Sequence, residues 1–303
     1  MGRFILSGSV RFLSKPQIRE SLTGRTAILE LLPFLISEAH ERPLRTDFLD
    51  IISARDLSSL FKKFNSQLWI TEKTLYHHLE HGGLPGIGFK RDSHIRQQLF
   101  RVHLDTLLGR DLFFLTQTRI QPEKLRSLYR ELCLIQGLPL NESDIARKVG
   151  LTPPTVRKMV DVFSALFLLR RHGKTLYCED GGLAHYAMGG HLLSRQQTLK
   201  AFVYRELLGK LLYLYPGSAE LESYQTRGGA EVPFIWSTPD GKSLGITVDP
   251  ESTPGEKSIR SLESFIQART KTSRSVHAIA FHQGKERFIA RKGIVCLPLG
   301  DLV

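Results

Sequence analysis

Apolar positions in the middle of the chain keep a helical period, and those toward its two ends fall into shorter runs. Phe100, Leu104, Leu107 and Leu108 recur at the i, i+4, i+7, i+8 spacing of one helix face. Leu57, Leu60 and Phe61 form another stripe. The pattern reads as helical from about Asp47 to Gln117, with a break at Gly82-Gly83-Leu84-Pro85. Residues 123–136 predict a further amphipathic helix, with Leu125, Leu128, Leu132 and Leu134 on or near one face. At the N-terminal end, Arg3–Ser7 reads as a short strand, Gln17–Thr23 as a helix ended by Gly24, and Ala27–Pro33 as a buried strand. Two strands cannot make a stable sheet alone, so this opening predicts the tail of a larger α/β unit. Toward the C-terminus a long helix is expected over Arg195–Tyr215. Strands follow near 221–225, 231–237 and 243–248, then a helix at 255–268 and strands near 276–281, 287–291 and 294–298. That order predicts a small mixed α/β domain.

Residues 142–161 carry the strongest local signal. Two helices that cross steeply need a small residue where they touch, and Ala146 supplies it. The tight turn between them needs a residue tolerant of positive φ, and Gly150 sits there. Val156 anchors the second helix back into the wedge, which Ile145, Val149, Leu151 and Met159 fill. Thr152 is suited to cap the second helix, with Pro153 in its first turn. Pro153, Thr155, Arg157 and Lys158 then face outward at the start of a recognition helix. Arg170, Arg171 and Lys174 fall on two short strands and a basic turn that read as a wing. The expectation is a winged helix-turn-helix over 119–188, presenting these seven residues to double-stranded DNA.

Charge strengthens that reading. Forty-two lysines and arginines against thirty acidic residues give the 303-residue chain a formal charge of +12. Such a surplus favours phosphate-rich partners through counterion release. Cys133, Cys178 and Cys296 are far apart in sequence and in no metal-binding arrangement, which predicts buried thiols in a reducing compartment. No apolar run reaches the length of a membrane span and the N-terminus lacks a signal-peptide pattern, so a cytoplasmic protein with no membrane partner is expected.

Two stretches imitate catalytic motifs. Gly83-Leu-Pro-Gly-Ile-Gly88-Phe89-Lys90 resembles a P-loop, but Phe89 stands where the lysine must directly follow the glycine, and no strand precedes it. A helix-connecting turn is the expected identity. His77-His78-Leu79-Glu80-His81 satisfies a zinc-protease-like spacing without an evident third ligand, and reads as a histidine-rich helix end. No metal and no cofactor are expected.

The order of segments resembles a group of prokaryotic AAA-type ATP-binding proteins with a winged helix and a C-terminal restriction-endonuclease-like domain of unknown function. The stretches that carry the resemblance are Phe4–Ser9, Glu20–Arg25, Leu29–Phe34, Gly82–Pro85, Gly109–Asp111, Phe202-Val203 with Glu206-Leu207, Gly229–Val232 and Val295–Leu299. It implies an α/β plus α architecture. Residues 1–40 would be the remnant of an AAA sheet, 41–118 a helical lid, 119–188 the winged helix and 189–303 a degenerate endonuclease-like domain. Ser7, Ser9 and Arg25 would be the remnant of the nucleotide-contacting side. The family's P-loop and acidic magnesium-binding strand come before the position where this chain begins, which implies no autonomous ATPase. In the family the Glu231-Val232 pair is usually followed by Asp, and here Pro233 stands there. A later Glu-Val-Lys is replaced by Thr247-Val248-Asp249, and Lys200-Ala201 stand where Glu-Asn precede Phe202. Glu206, Glu231 and Asp249 are the carboxylates left, so no nuclease activity is expected. A P-loop-bearing subunit encoded separately would be a second candidate partner, and a nuclease with a rearranged site is the further alternative.

Overall fold

The computed structural model describes residues 7–11, 29–54, 57, 64, 68–215 and 221–303. It is a mixed α/β protein whose chain divides into two compact units built from interleaved stretches. One takes the described residues up to Phe34 together with His77–Leu192, and the other takes Leu35–Tyr76 together with Leu193–Val303. Residues 41–118, grouped as one lid in the sequence, are therefore shared between the two.

The first unit is largely helical. It contains the end of α1 (Glu72–His81), then α2 (Ser93–Thr106), α3 (Pro122–Leu134), α4 (Glu142–Val149), α5 (Pro153–Ala165), a hairpin of β1 (Leu169–His172) and β2 (Thr175–Cys178), and α6 (Gly181–Met188). Asp92 caps α2 by accepting from the amides of His94 and Ile95. The helix runs on through a π-helical turn, Leu107–Asp111. Phe100, Leu104, Leu107 and Leu108 are all buried, as their spacing predicts. Leu125, Leu128, Tyr129 and Leu132 of α3 are buried too, and Tyr129 meets Phe163 of α5 edge to face at 5.9 Å. Cys133 and Cys178 are free and buried, with their sulfurs 3.5 Å apart.

The N-terminal end corrects the described part of the strand expected over Ala27–Pro33, of which Ala27 and Ile28 lie outside the described residues. Residues 29–33 form no strand, and Leu29 and Leu31 are 81% and 87% exposed. Apolar composition does not by itself place a run inside the protein. The strand expected at Arg3–Ser7 (apart from Ser7), the helix at Gln17–Thr23, and Leu60 and Phe61 lie outside the described residues.

The second unit is a six-stranded sheet in the order β3-β4-β5-β6-β8-β7. Its long helix α7 (Arg195–Leu214) comes before β3 (Leu221–Gln225), β4 (Glu231–Ser237) and β5 (Lys242–Val248), which pair antiparallel. Helix α8 (Glu256–Arg269) then crosses over to β6 (Ser275–His282), so β5 and β6 pair parallel. β6 also pairs parallel with β8 (Ile294–Pro298), and β7 (Phe288–Arg291) closes the edge. α8 covers one face with Ile259, Leu262 and Phe265 packed on Val232, Ala278, Ile294 and Cys296. Gly245 of β5 is required by this packing, since a Cβ there would stand 2.6 Å from the Phe265 ring. A 3-10 helix, Asp47–Ser53, packs against β5 and β6, with Phe48 meeting Phe281 at 5.8 Å. Every strand and helix expected after Arg195 is present within a residue or two.

Candidate nucleic-acid interface

Each side chain expected to meet DNA is positioned by α4, α5 or the hairpin. Asn141 caps α4, accepting from the Asp144 amide at 3.2 Å. The helix ends at Gly150, whose φ of 66° and ψ of 45° are the left-handed turn the sequence calls for. Thr152 then caps α5 and Pro153 opens it. Ala146 of α4 and Val156 of α5 are buried, together with Ile145, Val149 and Met159. In the hairpin, Gly173 at the turn has φ 58°, and Leu169 to His172 pair with Cys178 to Thr175. The chain after α3 adds to it, because Gly137 donates to Leu176 at 2.9 Å and Leu140 donates to Lys174 at 2.8 Å.

The seven residues divide into three groups. Pro153, Lys158 and Lys174 are exposed, and neither lysine has an ion pair among the described residues. Arg157, Arg171 and Thr155 face outward but are engaged. Arg157 closes a fork on Glu142, with Nε to Oε1 at 3.0 Å, Nε to Oε2 at 2.9 Å and Nη2 to Oε2 at 2.7 Å. This guanidinium holds the Glu142 carboxyl below its ordinary range, and Arg171 adds to the pull. Arg171 lies 3.4 Å from Asp161, and the Thr155 hydroxyl shares a hydrogen bond with Thr152 at 2.8 Å.

Arg170 forms the third group and corrects the expectation that it faces outward from the wing. Its Nε donates to Glu179 at 2.9 Å and its Nη2 to Glu30 at 2.5 Å, and Arg11 also donates to both carboxylates. Strand alternation puts Arg170 on the face of buried His172 and leaves Arg171 on the other. That alternation was available in the sequence, whereas Glu30, 140 residues away, was not. Glu142 was missed for the same reason.

The glycine-rich imitation of a P-loop has a structural task. Gly82, with φ 72°, and Gly83 wrap the buried carboxylate of Asp180, which accepts from the Gly83 amide at 2.8 Å and from the Leu183 amide at 2.7 Å. A Cβ on Gly82 would overlap that carboxylate, and one on Gly83 would overlap the Phe34 backbone. An amide that a P-loop would aim at phosphate is thus committed to an internal anion, and Phe89 packs edge-on to Phe34 at 5.7 Å. These residues do not fit a bound triphosphate. The rings of His77 and His81 are 3.7 Å apart, and no group of three or more metal-ligating side chains converges among the described residues. Ser7 and Ser9 are exposed, and Arg25 lies outside the described residues.

The three carboxylates of the second unit occupy different settings. Glu231 begins β4 and Asp249 follows β5, so the antiparallel register sets them at the same end of the two strands. Glu231 accepts from Lys200 Nζ at 2.7 Å. Asp249 is half-buried and its carboxyl is pushed up by burial, against the opposing pull of Ser258 and the Gly255 amide at the start of α8. Glu206 is buried in α7, accepting from the Ile36 amide at 2.8 Å with Lys210 at 3.7 Å.

A family model described as a domain of unknown function (DUF8612) matches residues 72–189, the span from the start of α1 to the glycine after α6. No curated protein and no solved structure matches the chain.

Proposed function

We propose that residues 119–188 are a winged helix-turn-helix and that the protein binds double-stranded DNA through it, with no ATPase or nuclease activity of its own. The observation that carries this reading is the pair of exposed cations, Lys158 on α5 and Lys174 at the turn of the hairpin that follows it. A helix that enters a major groove needs outward side chains in its first turns, and a wing needs a cation near its tip to meet the flanking phosphate. The two-helix geometry supports the same reading, since Ala146, Gly150 and Val156 each occupy the place the motif requires. For the second unit, three antiparallel strands followed by a crossover helix and parallel strands support the restriction-endonuclease-like assignment. The pairing of Glu231 with Lys200, and Thr247 and Asp249 standing where the resemblance calls for Glu and Lys, favour a non-catalytic version.

The test is a titration of labelled duplex DNA by fluorescence anisotropy at several salt concentrations, alongside ATP binding and plasmid cleavage in Mg²⁺. Saturable, salt-sensitive duplex binding with neither nucleotide binding nor cleavage is expected. Magnesium-dependent ATP binding by the isolated chain, or cleavage abolished by Glu231→Gln, would overturn the non-enzymatic part. Failure to bind any duplex would overturn the whole.

A further inference from the structure

The fork between Arg157 and Glu142 joins the first residue of α4 to the fifth residue of α5. The Glu142 side chain is 17% exposed and that of Arg157 is 67% exposed, so the carboxylate lies beneath and the guanidinium projects. A guanidinium offers two flat edges that can each donate a pair of parallel hydrogen bonds. Glu142 occupies the side edge, made by Nε and Nη2. The end edge, made by Nη1 and the second proton of Nη2, remains directed away from the carboxylate. The Arg157 head is therefore held at one orientation instead of sweeping the surface on a flexible stem.

Resting on the winged-helix reading above, we propose that Glu142 is a positioning residue for base recognition, holding Arg157 so that its end edge reads one guanine in the major groove. Two features favour a base over a phosphate as the thing read. An arginine already paired with a carboxylate has little net charge to offer a phosphate, and Glu142 would itself repel one. Guanine presents O6 and N7 as neutral acceptors spaced for a bidentate donor, so geometry matters there and net charge matters less. Lys158 and Lys174 remain to meet phosphates. The division of labour places sequence readout on the paired arginine and sequence-independent affinity on the two exposed lysines.

The experiment selects preferred duplexes from a randomised pool with the full chain. It then measures dissociation constants on the preferred duplex and on one with the implicated G·C pair changed to A·T. The wild type should favour the G·C duplex by roughly ten- to a hundredfold. Arg157→Ala and Arg157→Lys should both erase that preference. Glu142→Gln should bind all duplexes at least as tightly as the wild type, because a negative charge is removed, while its preference falls to a few-fold. This split, affinity kept and discrimination lost, is something a purely structural role would not give. Thermal melting of each variant shows that the fold is intact, and Glu142→Ala repeats the test without a residual acceptor. The inference is overturned if Glu142→Gln keeps the full preference, since Glu142 would then only mute the charge of Arg157. It is also overturned if the wild type binds duplex without a guanine preference that depends on Arg157, a result that leaves the DNA-binding reading standing. A wild type that binds no duplex at all overturns the winged-helix reading itself.

Discussion

At the scale of single residues, the left-handed glycines separate backbone strain from lack of space. Gly150 has φ 66° and open surroundings, with Lys124 Nζ at 3.6 Å as the nearest atom to a Cβ placed there. Gly82 has φ 72° and no room, because the Asp180 carboxylate lies where the Cβ would go. Gly150→Ala should therefore cost only the left-handed penalty of about 1–2 kcal/mol. Gly82→Ala should cost that and roughly another 1–3 kcal/mol, because displacing the carboxylate leaves buried amides of Gly83 and Leu183 without their acceptor. Urea denaturation of the two variants checks the difference, and equal losses would show that Asp180 moves aside freely. The sequence told these glycines apart only in part. Gly150 was placed by the spacing of its motif, while Gly82 was visible as a break but not as a cradle for Asp180, nearly a hundred residues on.

At the scale of elements, legibility followed periodicity. The α2 stripe, the α3 stripe and the strands of the second unit were predictable because their apolar positions are the buried ones. Ala27–Pro33 failed because Leu29 and Leu31 are exposed, and an apolar run carries no information about which side is covered. The Asp47–Ser53 turn was expected to be helical and is a 3-10 helix, a distinction that periodicity over seven residues cannot make. Side-chain roles were least legible, because Arg170 and Arg157 are both committed to carboxylates that only the fold brings near. The end of β6 yields a pH prediction. His282 is buried and its Nδ1 accepts from the Gly284 amide at 3.1 Å, which requires a neutral ring. Burial pushes its pKa below 6.5, against the opposing pull of backbone acceptors, Asp301 and Glu286. A depressed folded pKa means the unfolded chain takes up the proton first. The stabilisation is therefore complete above about 6.5 and is lost as pH falls through that value toward the folded one. His103 and His277 are shifted the same way by burial and add to the slope. The melting temperature should fall between about pH 7.5 and 5.5, and His282→Gln should flatten that fall. A slope unchanged in the variant would show that His282 ionises without consequence for stability.

At the scale of the whole molecule, a formal charge of +12 guarantees some attraction to any polyanion, so binding alone does not locate an interface. What the structure adds is a ranking of cations. Arg157, Arg170 and Arg171 are paired with Glu142, with Glu30 and Glu179, and with Asp161. Lys158 and Lys174 are exposed without an ion pair among the described residues, and they should release counterions on binding where the paired arginines release fewer. The second unit supplies a matched control in Lys285 and Lys292, which are also exposed and carry no ion pair among the described residues. The decisive measurement is the slope of log affinity against log salt for duplex DNA in the wild type, in Lys158→Ala with Lys174→Ala, and in Lys285→Ala with Lys292→Ala. The first pair should weaken binding and shallow the slope by about 1.8, or about 0.9 for each phosphate no longer neutralised, while the second pair leaves both unchanged. Equal weakening in the two double variants would reduce the binding to diffuse charge attraction, and no weakening in either would contradict an interface built from α5 and the hairpin.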